Sequence, residues 1–395
     1  MPSAAKDWKG PLAGIRVVDL TTMVMGPYCT QIMADMGADV IKVEPPGGDN
    51  TRFISQGPAA GMSGVFINVN RGKRSIVLDL RSAEGKEALM KLIEGADVFI
   101  HSMRAKAIAG LGFDYDAVKA INANIVYTNC YGFGRRGPDR DRTAYDDTIQ
   151  AECGLPAVQQ MLTGEPSYVG TIIADKVAGL TTLYATMMAL FHRERTGEGQ
   201  EVEVGMFETM ASFMLVEHAN GAMFTPPLGP ARYPRAVAPN RKPYKTRDGH
   251  IAVLIYNDKQ WKAFVEGAKP GWASDPRFAT LESRAKHIDT IYARLAETLA
   301  ERTTAEWIKL FRALEIPSAP LRTPGELFDD PHLNAVGLFE TIETAHGPVR
   351  FPGVPTWFSQ TPGAVAGYAP EIGEHGEQIL AEIGLGAAQD DARRA

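Results

Sequence analysis

The sequence predicts an α/β protein with a Rossmann-like large domain and a smaller α+β domain. Three observations lead there. Short apolar runs alternate with helix-period segments over the first half, prolines crowd the chain just after residue 224, and amphipathic helices around one strand-like run follow. The first half reads "RVVDL", "YCTQIMADMG", "DVIKVE", "SIVLDL", "AEGKEALMKLIEGA", "DVFIHS" and "NIVYTN". The strand runs are apolar on both alternations, so helices must cover both faces of a parallel sheet. Beyond Asp175, the residues Val177, Leu180, Tyr184, Met187, Met188 and Phe191 share helical spacing. "EVEVGMF" adds a strand before a further helix.

The run "FTPPLGPARYPRAVAPNRKP" breaks helices and reads as a long connection. After it, "DGHIAVLIY" reads as a strand, and "NDKQWKAFVEGA", "RLAETLAERT" and "TAEWIKLFRAL" read as amphipathic helices. A second irregular stretch, 317–331, returns the chain to the first domain. The expected division is therefore 1–224 for the first part of the large domain, 225–329 for the small domain with its linkers, and 330–395 for the return and a polar tail from Ala387.

Composition narrows the function. With 395 residues and 45% hydrophobic content, the chain can bury two or three cores. A net charge of −6 offers no general attraction to nucleic acid or an anionic membrane, so any anion site must come from local clusters of Arg and Lys. The uncharged run 177–191 falls short of the ~20 residues that span a bilayer. Cys29, Cys130 and Cys153 are too scattered for a metal site or redox dithiol, and they fit a reducing cytoplasm. No metal is expected.

One motif needs testing. "NCYGFGRRGP" carries glycines at G-x-G-x-x-G after a strand, the spacing of a dinucleotide-binding turn. Such a turn must open a helix whose N-terminus receives the pyrophosphate. Here Gly137 is followed by Pro138 and "DRDRTAYDD", so that helix is missing and the loop serves another purpose. Asp175 stands just ahead of the long apolar segment, where an aspartate most often acts as an N-cap.

Taken together, "PLAGIRVVDLTTMVMGPYCTQIMADMGADVIKVEPPGGDNTR", "NRGKRSIVLDL", "GFGRRGPDRDRTAYD", "IADKVAGLTTLYATMMALFHRERTGEGQEVEVGMFETM" and "YAPEIGEHGEQILAEIGL" resemble the family III CoA-transferases over about 11–386. The resemblance implies an interlocked homodimer of ring-like chains. It also implies an aspartate nucleophile at the start of a helix, matched by Asp175, which forms a mixed anhydride and then an aspartyl-CoA thioester. The free N–H groups of that helix are expected to steady the carboxylate and the tetrahedral oxyanion.

Coenzyme A is a substrate in this reading, with a small carboxylic acid as the other, and no cofactor is tightly bound. Arg71, Lys73 and Arg74 of "NRGKRS" match a family segment near the nucleotide. Arg104 stands where many members have Arg-Pro-Gly, although Ala105 and Lys106 follow it here. Met25 is expected in the pantetheine tunnel, and Tyr145 and Met206 in the acyl pocket. The glycine loop is expected to deliver Tyr145 toward Asp175, with Arg135, Arg136 or Arg142 free to hold a second carboxylate.

Two other readings share this fold: an α-methylacyl-CoA racemase and a CoA-ester-binding protein without catalysis. The racemases place a histidine where this chain has Tyr145, and a phenol near pKa 10 is a poor proton shuttle at neutral pH. His218 is expected to pack or face solvent.

Overall fold

The computed structural model describes residues 10–386, so the polar tail expected from Ala387 lies outside the described residues. Six parallel strands form the main sheet: β1 (Arg16–Leu20), β2 (Asp39–Glu44), β3 (Arg74–Val77), β4 (Val98–His101), β5 (Val126–Tyr131) and β6 (Glu201–Gly205). Their order is β3-β2-β1-β4-β5-β6. In-register parallel pairing, such as Val17 with Val40 and with Val98, leaves every strand of the sheet's middle covered on both faces. One apolar cluster lies under the helices Met25–Asp35 and Ile173–Thr196, and the other under Ala83–Glu94, Tyr115–Ile121 and Gly376–Glu382.

Local chemistry sets the helix ends. Ser82 accepts from the Gly85 N–H to start one helix, and Asp114 accepts from the Ala117 N–H to start the next. Gly197, in the left-handed region at φ 77°, ends the long helix Ile173–Thr196.

That long helix departs from the sequence expectation. Its inward face is made of small residues, among them Ala174, Ala178, Gly179, Thr182, Thr186 and Ala189. Most of the large apolar stripe points out: Leu180, Tyr184, Met188 and Phe191 are 45–65% exposed. Small residues permit close helix packing, so the bulky side chains had to take the other face.

The chain divides into two compact units. One comprises Met1–Cys153, Thr171–Ser212 and His332–Ala395; the other comprises Gly154–Gly170 and Phe213–Pro331. The division falls inside the helix Met206–His218 instead of at residue 224, and the helix Leu155–Thr163 counts with the smaller unit. The smaller unit has a three-stranded antiparallel sheet of Tyr244–Lys245, His250–Val253 and Ser318–Pro320. Its core collects Phe264, Trp307 and Phe311 from the helices Asp258–Ala268 and Thr304–Ala313, both started by capping boxes. The larger unit also carries a hairpin, Phe339–Thr344 with Gly347–Pro352, that the sequence pattern did not disclose. No helix among the described residues is long and apolar enough to cross a membrane.

Candidate active site

In a sheet of this order the strand connections diverge between β1 and β4, and the crevice at their carboxyl ends is where such folds take ligands. The ends are tied together there: the Thr22 N–H donates to Ser102 Oγ at 3.0 Å. From the same loop the helix Met25–Asp35 begins, preceded by Met23 at φ 66°. A non-glycine residue in the left-handed region costs on the order of 1 kcal/mol, held by the surrounding fold.

Asp175 is the third residue of the helix Ile173–Thr196. It is not the N-cap: Ile172 holds that position and supplies no side-chain bond. Asp146, at the start of the helix Asp146–Glu152, does the capping from 29 residues away. One of its oxygens accepts the N–H groups of Ala174 at 2.7 Å and Asp175 at 3.1 Å. The other accepts from Gln150 Nε2 at 2.6 Å. These two amides are thereby spent, which corrects the expectation that they serve an oxyanion. The carboxylate of Asp175 instead accepts from the backbone N–H of Met25, the first residue of a different helix.

Gly179, one turn along the same face, makes that approach possible. A Cβ at Gly179 would lie 2.7 Å from the Met25 carbonyl oxygen. Burial, then the neighbouring Asp146 charge, push the Asp175 carboxyl up to about 6, with the Met25 N–H pulling the other way. No basic side chain pairs with Asp175 among the described residues. A carboxylate that is half-buried, without a cationic partner and raised toward neutrality has the properties of a nucleophile or a base.

The basic residues divide sharply. Lys73 is fully buried: its ammonium donates to Asp19 at 3.0 Å, Asn70 Oδ1 at 2.8 Å and the Pro27 carbonyl at 3.1 Å. Burial would raise Asp19, but Lys73, Lys42 and the hydroxyls of Thr21 and Thr30 hold it near 2. Arg71 is buried against Asp35 at 2.6 Å, and Arg74 bridges Asp39 and Glu382. The assignment of Lys73 to a phosphate is therefore corrected, because an enclosed ammonium with three acceptors has nothing left to offer. Arg71 and Arg74 are likewise committed to carboxylates of their own chain. Arg104, at the carboxyl end of β4, is exposed and forms no ion pair among the described residues.

Met25 contributes a backbone amide, while its side chain is packed in the core. Met206 is also a core residue, which corrects its placement in an acyl pocket. Tyr145 is 59% exposed and directly precedes the capping Asp146. In the glycine loop, a Cβ at Gly132 would lie 2.3 Å from Ala144 Cβ, and the Gly134 N–H donates to Glu208 at 2.9 Å. Its glycines thus seat the loop on its own neighbours. Arg135 pairs with Glu201 and Glu203, and Arg142 with Asp139 and Glu152, which leaves the exposed Arg136 as the one of the three without an ion pair among the described residues.

Among the described residues no cluster of His, Cys, Asp and Glu could hold a metal ion. Asp146 escaped the sequence reading. The paired aspartates after Tyr145 were visible, but a cap on a helix so distant in sequence leaves no local spacing to detect.

Comparison with known proteins identifies the family. The model of CoA-transferase family III matches residues 12–376. Succinate–glutarate CoA-transferase of Agrobacterium fabrum is 34% identical over 393 residues, covering 95% of this chain and 96% of that protein. Succinyl-CoA:mesaconate CoA-transferase of Haloarcula hispanica is 32% identical over 391 residues, covering 95% and 97%. A crystal structure of a CAIB/BAIF family protein from Brucella suis superposes with a TM-score of 0.80 at 31% identity, covering 95% of this chain and 100% of that one.

Proposed function

This chain belongs to CoA-transferase family III, and we propose that it moves coenzyme A from an acyl-CoA to a free dicarboxylic acid with Asp175 as the nucleophile. The observation that carries the reading is the Asp175 carboxylate itself, half-buried at the meeting of two helix starts with no counter-cation.

Asp175 attacks the thioester carbonyl carbon, the C–S bond breaks, and a mixed anhydride forms as CoA thiolate leaves. The thiolate then attacks the aspartyl carbonyl of the anhydride. That frees the donor acid as its carboxylate and leaves an aspartyl-CoA thioester. The acceptor carboxylate attacks this thioester, giving a second anhydride and releasing the thiolate again. Attack of the thiolate on the acceptor's acyl carbon yields the new acyl-CoA and restores Asp175. Atoms and charge balance at each step with a carboxylate and a thiolate alone, so the route requires neither metal nor redox cofactor.

With a pKa near 6, the carboxylate is about nine-tenths ionised at pH 7, yet more basic than an ordinary aspartate. Both properties favour attack. A cavity of about 710 Å³ over the carboxyl ends of β1 to β3, lined by Leu20, Thr22, Pro45, Leu78 and Met103, is our candidate for the nucleotide. Arg104 beside it is the candidate phosphate contact.

Two further parts of the reading have separate supports. The outward stripe of Leu180, Tyr184, Met188 and Phe191 favours an interlocked homodimer, because a lone chain would expose it to water. The dicarboxylate class rests on the two relatives, whose names give succinate, glutarate and mesaconate, and on Arg136, which is free to meet a distal carboxylate. Three free cysteines fit a cytoplasmic setting.

The test is exchange between succinyl-CoA and isotope-labelled glutarate, followed by mass spectrometry. We expect labelled glutaryl-CoA with total thioester conserved, and kcat/KM rising with pH through about 6 as Asp175 ionises. Asp175→Asn is expected to lose several orders of magnitude in exchange. Net thioester hydrolysis, or wild-type exchange by the Asn variant, would refute the reading.

A further inference from the structure

The smaller unit holds a cavity of about 400 Å³, within the range of small-molecule sites. Its walls are mostly apolar, with Val253, Ile288, Ile291 and Leu295 among them, and none of its lining side chains is acidic. Two arginines reach it, and they differ in what holds them.

Arg284 is satisfied within the fold. It pairs with Asp258, donates to the Phe278 carbonyl at 3.0 Å and lies over the Trp261 ring at 5.0 Å. Arg235 is half-buried and forms no ion pair among the described residues. Its Nε donates to the Tyr292 hydroxyl at 3.0 Å, and its guanidinium lies 4.7 Å from the centre of the Tyr256 ring. The Tyr233 hydroxyl, also on the cavity wall, accepts a further hydrogen bond from the guanidinium, so stacking fixes its plane and two phenols engage part of its five N–H donors, none of which meets a carboxylate. A cation withdrawn from water without a counter-charge is a standing cost, which an entering anion would relieve through charge-assisted hydrogen bonds.

We propose that this cavity is a binding site for an amphipathic monocarboxylic acid, its carboxylate held by Arg235 and its apolar body by the cavity wall. A single unpaired arginine suits one carboxylate, and a wall dominated by apolar surface suits an aryl or branched aliphatic body better than a second charge. The phenols of Tyr292 and Tyr233 hold the guanidinium in place at the cavity wall.

The test uses the full-length Asp175→Asn protein, which separates binding from exchange. Isothermal titration with 3-phenylpropionate and with its neutral amide, 3-phenylpropanamide, reads the charge requirement. We expect the acid to bind at least tenfold more tightly than the amide. Arg235→Gln, at a half-exposed position, is expected to weaken the acid at least tenfold. Ala285→Trp, at an exposed position on the cavity rim, is expected to block acid and amide alike. Absence of binding, equal binding of acid and amide, or unchanged binding in either variant would overturn the proposal.

Discussion

Two basic regions of the large unit look alike in sequence and behave differently in space. The turn "NRGKRS" presents three cations within four residues, and every one is taken: Arg71 by Asp35, Lys73 by Asp19, Arg74 by Asp39 and Glu382. The segment after β4, "HSMRAKA", is less basic, yet Arg104 there forms no ion pair among the described residues and stands at the end of the sheet where ligands enter. A cluster of cations becomes an anion site only if its charges lack partners of their own. The first region holds strands and helices together, and in the second Arg104 keeps its charge unpaired among the described residues.

Substitutions can break this contrast. The largest expected effect is Lys73→Met, which leaves Asp19 buried without its ammonium and should cost about 3–5 kcal/mol of stability. Chemical denaturation reads it directly. A loss below about 1 kcal/mol would mean that the pair is dispensable and that Lys73 is free for another purpose. Arg104→Ala should behave in the opposite way. Its denaturation midpoint should stay within the scatter of a surface change, about 0.5 kcal/mol. The KM for acyl-CoA should rise on the order of tenfold, the weight of one charge-assisted contact at about 1.4 kcal/mol. If KM is unchanged while stability falls, Arg104 belongs with the first region and the contrast is wrong.

The same contrast explains what could be read from the sequence. The sheet was legible because strands covered on both faces place apolar residues on both alternations, as Val17 and Val18, Val40 and Ile41, and Val98, Phe99 and Ile100 do, even though the charged Asp19, Lys42 and Glu44 are buried among them in ion pairs. The place of Asp175 in the first turn of its helix was legible, but not the role of the carboxylate of Asp146 beside it. Its helix is capped by Asp146, its own carboxylate meets the amide of Met25, and each partner comes from another part of the chain. The commitment of Lys73 depended on Asp19, 54 residues earlier, and no local spacing encodes such a pair. Helical periodicity identified the stripe of Leu180, Tyr184, Met188 and Phe191 but gave the wrong face to the core. Period alone says that one face differs from the other, and here the close approach of Gly179 to Met25 selected the small residues for the inside.

Gln150 and Asp146 show how support for a site can look ordinary. A glutamine bonded to an aspartate one helical turn earlier is a common surface pair, but Asp146 is buried and its second oxygen holds the start of the Asp175 helix. The position of Asp175 is thus fixed from two directions, by Asp146 on its backbone and by Met25 on its carboxylate.

The central claim is that Asp175 forms a covalent bond to the acyl group during exchange, and trapping tests it most directly. Wild-type protein is incubated with succinyl-CoA, hydroxylamine is added, and the digested protein is examined by peptide mass spectrometry. Hydroxylamine attacks both the anhydride and the aspartyl thioester, so the account predicts hydroxamate at Asp175, loss of exchange in proportion to labelling, and no label without acyl-CoA. Labelling of another carboxylate such as Asp146, or full exchange with Asp175 unmodified, would contradict it.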